Sequence, residues 1–216
     1  MRSKFDEQLA LLSRELTQMG ALCEEVIALA AKSITTGDVA IAEKVAPLDG
    51  EIDRMEHSIE VLCLKLLLQQ QPVARDLRQI SAALKMITDM ERIGDQAEDI
   101  AEIILYLGGR QAEHDDLLQQ MARAAITMVT NSVDAFVKRD THLAEQVVRS
   151  DDTVDRYFDE VKQGLIQKIA VSPADGAYYL DSLMIAKYFE RIADHAVNIA
   201  QWVVFSVTGV HKEDHV

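Results

Sequence analysis

A chain of 216 residues, 49% of them hydrophobic, is long enough to bury a sizeable core without help from its two cysteines. A formal charge of −14 excludes general nucleic-acid binding, which rests on lysines and arginines displacing counterions from phosphates, and it disfavours an anionic membrane surface. Three prolines and nine glycines leave few interruptions in a sequence rich in helix formers, so long helices are expected.

The first helix is predicted over about residues 5–34, where Leu9, Leu12, Leu16, Met19, Cys23, Val26 and Ala30 recur at steps of three and four, with Ser3 and Asp6 able to cap its start. Gly37 breaks the pattern. Asp38 then caps a second helix to about residue 70, kinked or interrupted at Pro47 and Gly50, and Pro72 forces a turn. Asp76, with Gln79 three residues on, opens a third helix, and Ile80, Leu84, Ile87, Gly94, Ala97, Ala101 and Ile104 carry its inward face to a stop at Gly108 and Gly109. A fourth helix covers about 115–138, Arg139 and Asp140 turn the chain, and a fifth reaches about residue 170. Ser172, Pro173 and Asp175 read as cap, first helical proline and acidic third position of a last helix to about residue 207, which Thr208 and Gly209 end.

Cys23 and Cys63 lack metal-ligand or redox spacing and read as reduced core thiols. The first residues run straight into charged positions with no signal-like apolar stretch, and the most hydrophobic segment, 199–207, is far short of the roughly 20 residues of a membrane span. A cytoplasmic protein without membrane insertion is expected.

The two halves of the chain repeat one another. An offset of 102 places residues 41–45 on 143–147, and Asp49 and Asp53 on Asp151 and Asp155; an offset of 99 places residues 91–101 on 190–200. Similarity at a nearly fixed offset marks duplicated supersecondary structure. The expected fold is therefore all-α, two tandem three-helix bundles over residues 1–109 and 110–216, built from six long antiparallel helices.

Steps of four put Glu91, Asp95 and Asp99 on consecutive turns of one helix, and Glu190, Asp194 and Asn198 on another. The preceding helices add Asp49 with Asp53, and Asp151 with Asp155. Convergence of these groups would make an oxygen-donor metal strip. An ordinary solvated acidic face would show the same spacing, since repulsion between such pairs costs only about 0.2–0.5 kcal/mol. What favours a site is that both halves keep Glu, Arg, Ile and Asp in identical relative places, which solubility does not require.

The segments Glu91-Arg92-Ile93-Gly94-Asp95 and Glu190-Arg191-Ile192-Ala193-Asp194, the second followed by Asn198-Ile199, resemble the paired signature of the PhoU proteins, regulators of phosphate-specific transport. The resemblance covers nearly the whole chain. It implies two three-helix bundles, a homodimer in several members, and carboxylate-held surface clusters of iron, or of zinc or another divalent ion. It also implies association with the phosphate importer's ATPase subunit and with the phosphate-sensing histidine kinase, holding the phosphate-starvation response off when phosphate is plentiful. Asp99 stands where the family commonly has Asn, and Ala193 where it has Gly, so the first half, with its extra carboxylate, is expected to hold metal more firmly than the second.

Arg92 and Arg191 are expected to pair with carboxylates on their own helices, His195 to be a lone surface histidine, and His57, His114, His211 and His215 to be exposed without partners. Trp202 and Phe205 read as core or dimer-interface anchors. Two other readings compete with the regulator: a metal-free helical adaptor docking on a basic surface, and a di-iron carboxylate oxidase. The oxidase needs Glu-x-x-His pairs, and the positions three after Glu91 and Glu190 are Gly94 and Ala193. No activated nucleophile, glycine-rich phosphate loop or phosphate pocket is evident, so the chain reads as no enzyme, with phosphate status reaching it through a partner.

Overall fold

A computed structural model of the chain describes residues 2–70, 72–110 and 115–210, and all its regular structure is helical. The helices are α1 (Arg2–Thr36), the single turn α2 (Val39–Ala42), α3 (Val45–Gln70), α4 (Ala74–Tyr106), α5 (Asp115–Lys138), α6 (Thr141–Val171) and α7 (Gly176–Thr208), with a 3₁₀ turn over Pro173–Asp175. His114, His211 and His215 lie outside the described residues.

Local chemistry sets the breaks. Pro47 has no N–H, and its ring crowds the carbonyl four residues back, at Glu43, so the predicted second helix divides there into α2 and α3. Lys44 N closes the break on Ile41 O at 3.1 Å, and Pro47 falls in the first turn of α3, where a missing donor costs nothing. Gly50 lies inside α3 and does not interrupt it. Asp38 and Asp140 cap the two matching helix starts, accepting from Ala40 N at 2.9 Å and Leu143 N at 3.0 Å. At α4 the start is three residues earlier than the capping pattern of Asp76 implies, and its cap residue Val73 offers no side-chain acceptor.

Each half is a three-helix bundle, α1, α3 and α4 in the first and α5, α6 and α7 in the second, and the halves meet where α1 packs on α5 and α4 on α7. One contiguous apolar core runs through both, and it includes the buried, unpaired Cys23 and Cys63. Leu84 is only partly buried, whereas the other predicted inward positions of α4 are buried.

The α4–α7 seam has an internal symmetry. Asp89 on α4 accepts from Asn198 Nδ2 on α7 at 3.1 Å, while Asp99 on α4 accepts from Tyr188 on α7, so the helices run antiparallel. Under the offset of 99, Asp89 is the counterpart of Tyr188 and Asp99 of Asn198. The two hydrogen bonds are thus the same register pairing used twice, with donor and acceptor exchanged between the two positions and the first half accepting both times.

Candidate functional site

In each half the two helices that share a hairpin bring their acidic residues to one strip. On the first, α3 supplies Asp49, Asp53 and Glu56, and α4 supplies Glu91, Asp95 and Glu98. Asp49 is the innermost, with 6% of its surface exposed and its Oδ1 buried without a hydrogen-bond partner. It reaches that depth because Gly94 faces it: a β-carbon there would collide with Asp49 Oδ1 and press on Ile52 Cδ1 at 3.1 Å.

Burial, then the negative charges of Glu98, Asp53 and Asp95, push the Asp49 carboxyl up to about 7, and the protonated form hydrogen-bonds Glu98. Glu91 is raised by burial and by Asp95, and Glu98 by burial and by Glu102. Arg92, bonded to Asp95 at 2.8 Å and 3.4 Å from Glu91, brings positive charge to the strip, and it pairs on its own helix as expected.

The second strip holds Asp151 and Asp155 from α6 with Glu190 and Asp194 from α7. Burial, then Asp155, Asp194 and Glu190, push Asp151 up to about 6, and its Oδ1 is also buried without a partner. Asp194 is raised by burial and by Glu190, and Asp155 by burial and by Glu190. This strip differs from the first in two ways: Lys187 pairs directly with Glu190, and the counterpart of Glu98 is Val197.

Of the residues the four-residue spacing singled out, Glu91, Asp95, Asp49 and Asp53 therefore come together, as do Glu190, Asp194, Asp151 and Asp155. Asp99 and Asn198 face the other way, into the α4–α7 seam, where Asp99 meets Tyr188 and feels Arg191 and Asn198 bonds Asp89. At about 100° per residue each step of four overshoots a turn by about 40°, so the third residue of such a series drifts off the face, whereas a step of seven returns to within about 20°. The step of seven from Glu91 is Glu98, which the spacing by fours passes over.

His195 is not a lone surface histidine: its Nδ1 lies 2.9 Å from Asp89 Oδ1 across the seam, with both side chains largely covered. His57 is exposed but has Glu60 at 3.7 Å one turn away. Trp202 and Phe205, both partly buried, meet edge to face at 5.6 Å.

Deep carboxylates with raised pKa values and unbonded oxygens fit a bound cation, whose charge would relieve the repulsion each strip carries. Among the described residues, no three His, Cys, Asp or Glu side chains already converge to hold an ion.

The PhoU domain family matches the chain twice, over residues 16–104 and 118–203. The chain belongs to the PhoU family. Two relatives bearing the name phosphate-specific transport system accessory protein PhoU homolog are similar along nearly their whole length. The one from Clostridium acetobutylicum is 32% identical over 212 residues, 96% of each chain. That from Synechocystis is 36% identical over 210 residues, 96% of this chain and 93% of the relative. Among solved structures, PhoU from Pseudomonas aeruginosa superposes with a TM-score of 0.90 at 31% identity, covering 95% of this chain and 100% of that one. The phosphate transport system regulatory protein PhoU from Streptococcus pneumoniae gives 0.86 at 27% identity, covering 96% and 98%. The duplicated PhoU repeat thus has matching carboxylates at the same places in both halves, with Ala193 as the counterpart of Gly94 and Asp151 of Asp49.

Proposed function

We propose that this PhoU protein is a non-catalytic regulator of phosphate uptake and of the phosphate-starvation response. It acts in the cytoplasm on the ATPase subunit of a phosphate importer and on a phosphate-sensing histidine kinase, and it assembles as a homodimer. Support comes from the names of relatives matched over nearly the full chain, together with the two acidic strips repeated in both halves. Among the described residues no helix is long and apolar enough to cross a membrane, so contact with an importer would run through its soluble parts.

Metal belongs to the same proposal. Iron, or zinc or another divalent ion, would be held by Asp49, Asp53, Glu91, Asp95 and Glu98 in the first half and by Asp151, Asp155, Glu190 and Asp194 in the second. When bound, the ion supplies fixed positive charge. The chain's own part is to present preformed carboxylates whose strain a cation relieves. The first strip is the stronger of the two, because Lys187 already neutralises part of the second and Val197 withholds a ligand.

A metal-free adaptor is the second reading, favoured by the lack of a converged ligand set among the described residues. Deleting the gene and measuring alkaline phosphatase and phosphate uptake in rich phosphate tests the regulator; unchanged output would refute it. Complementation with Asp49→Asn and Asp95→Asn separates the two readings, since full rescue by a protein that elemental analysis shows to be metal-free would leave the adaptor standing.

A further inference from the structure

The sequence shows no basic cluster, yet the fold assembles one from both halves. Arg75 and Arg78 stand one turn apart at the start of α4, and Arg139 comes from the α5–α6 turn. The left-handed backbone of Arg139, φ 56, directs it back onto α4, where Nη1 donates to Gln79 Oε1 at 3.4 Å. Arg78 lies along the end of α7, so that a β-carbon on Gly209 would sit 3.6 Å from its Nε.

One guanidinium nitrogen of this cluster is left unmet by the protein around it. Arg78 Nε is buried without a hydrogen-bond partner, although it lies at the end of α7, whose last turn closes instead through Gly209 N to Phe205 O at 2.8 Å. Burial, then the charges of Arg75 and Arg78, hold Arg139 below its ordinary value, with Asp76 the acidic group acting against them. Val73 gives the start of α4 no side-chain cap, which leaves its first-turn N–H groups to add their positive end at the same place. Gathering like charges in this way is costly unless an anion neutralises them.

We propose that Arg75, Arg78 and Arg139 form a binding site for a tetrahedral oxyanion of the phosphate class, built across the boundary between the two halves. Guanidinium groups present paired N–H donors that match phosphate oxygens, and three of them gathered beside Asp76 leave positive charge for such an anion to neutralise. The site lies apart from the carboxylate strips, so its failure would leave the regulatory reading untouched, and failure of that reading would leave this site.

The test is equilibrium dialysis of the full chain against labelled inorganic phosphate in dilute chloride, after removal of divalent metal. Saturable binding is expected, with sulfate competing for it. Arg78→Met should weaken it by roughly ten-fold, as loss of a charge-assisted hydrogen bond implies, and exposed Arg75→Ala by several-fold. Arg139→Asn, which suits a left-handed backbone, should match Arg78→Met, and Lys162→Ala on α6 should change nothing. If Arg78→Met unfolds the chain, the Arg75→Ala/Arg139→Asn double variant decides. The proposal is overturned if phosphate does not saturate, or if that folded double variant binds it as the parent does.

Discussion

Replacing Asp49 with asparagine should remove a large part of the pH dependence of the metal-free protein's stability. Asp49 lies at about 7 in the folded chain against an ordinary value of 3.8, so the native state holds its proton more tightly than the unfolded one. Its contribution is fully present below 3.8 and is lost as pH rises through about 7. From about pH 8 down to about pH 5 the carboxyl gains roughly two pH units of protonation free energy, on the order of 3 kcal/mol. With only 6% of the residue exposed, solvent screens little of this. For a chain of this size that corresponds to a rise in Tm of about 5–10 °C on acidification. Asp151, at about 6, adds to the same trend. Thermal melts of metal-stripped parent and Asp49→Asn across this range measure the difference, and the variant should gain less on acidification by about that amount. Equal pH dependence in the two proteins, or a parent less stable at the acid end, would refute the placement of Asp49 as a buried, crowded carboxyl.

Gly94→Ala should cost about 1–3 kcal/mol in urea unfolding because its β-carbon meets Asp49 and Ile52, whereas Ala193→Gly at the matching place should cost no more than about 1 kcal/mol. Asn198→Asp should destabilise the fold by about 1–3 kcal/mol at neutral pH by setting a carboxylate against Asp89, and calorimetry should show no gain in metal affinity, since position 198 faces the seam. A clear gain would place it in the strip after all. Saturating the first strip with zinc at neutral pH should raise Tm by mass action, and Asp95→Asn should blunt the rise; a Tm indifferent to zinc in both proteins would count against a cation there. Cys63, pushed up to about 12 by burial and by Glu60, and the deeper Cys23, also raised, should resist a thiol reagent until the chain unfolds.

Helix number, the duplication and most boundaries were legible because periodicity, capping aspartates and glycine stops are local signals. Pro47 announced an interruption, but its place at Glu43 followed from the ring's clash with a carbonyl one turn back. The strips were legible in part: Asp49, Asp53, Glu91 and Asp95, with their counterparts, are fixed by hairpin geometry. Asp99 and Glu98 exchanged roles because counting by fours ignores the drift of a real helix. His195 and the three arginines were out of reach, since their partners lie on the other half of the chain and depend on how α4 meets α7.

The exchanged hydrogen bonds of that seam also decide which copies of the repeat can join. If two first halves met through α4 in the same register, Asp89 of each would confront Asp99 of the other, two carboxylate pairs with no donor between them. The mixed pairing instead gives Asp89 an amide and Asp99 a phenol. The divergence of Tyr188 and Asn198 from their acidic counterparts therefore disfavours self-association of the first repeat by this surface and commits it to the second repeat carried on the same chain.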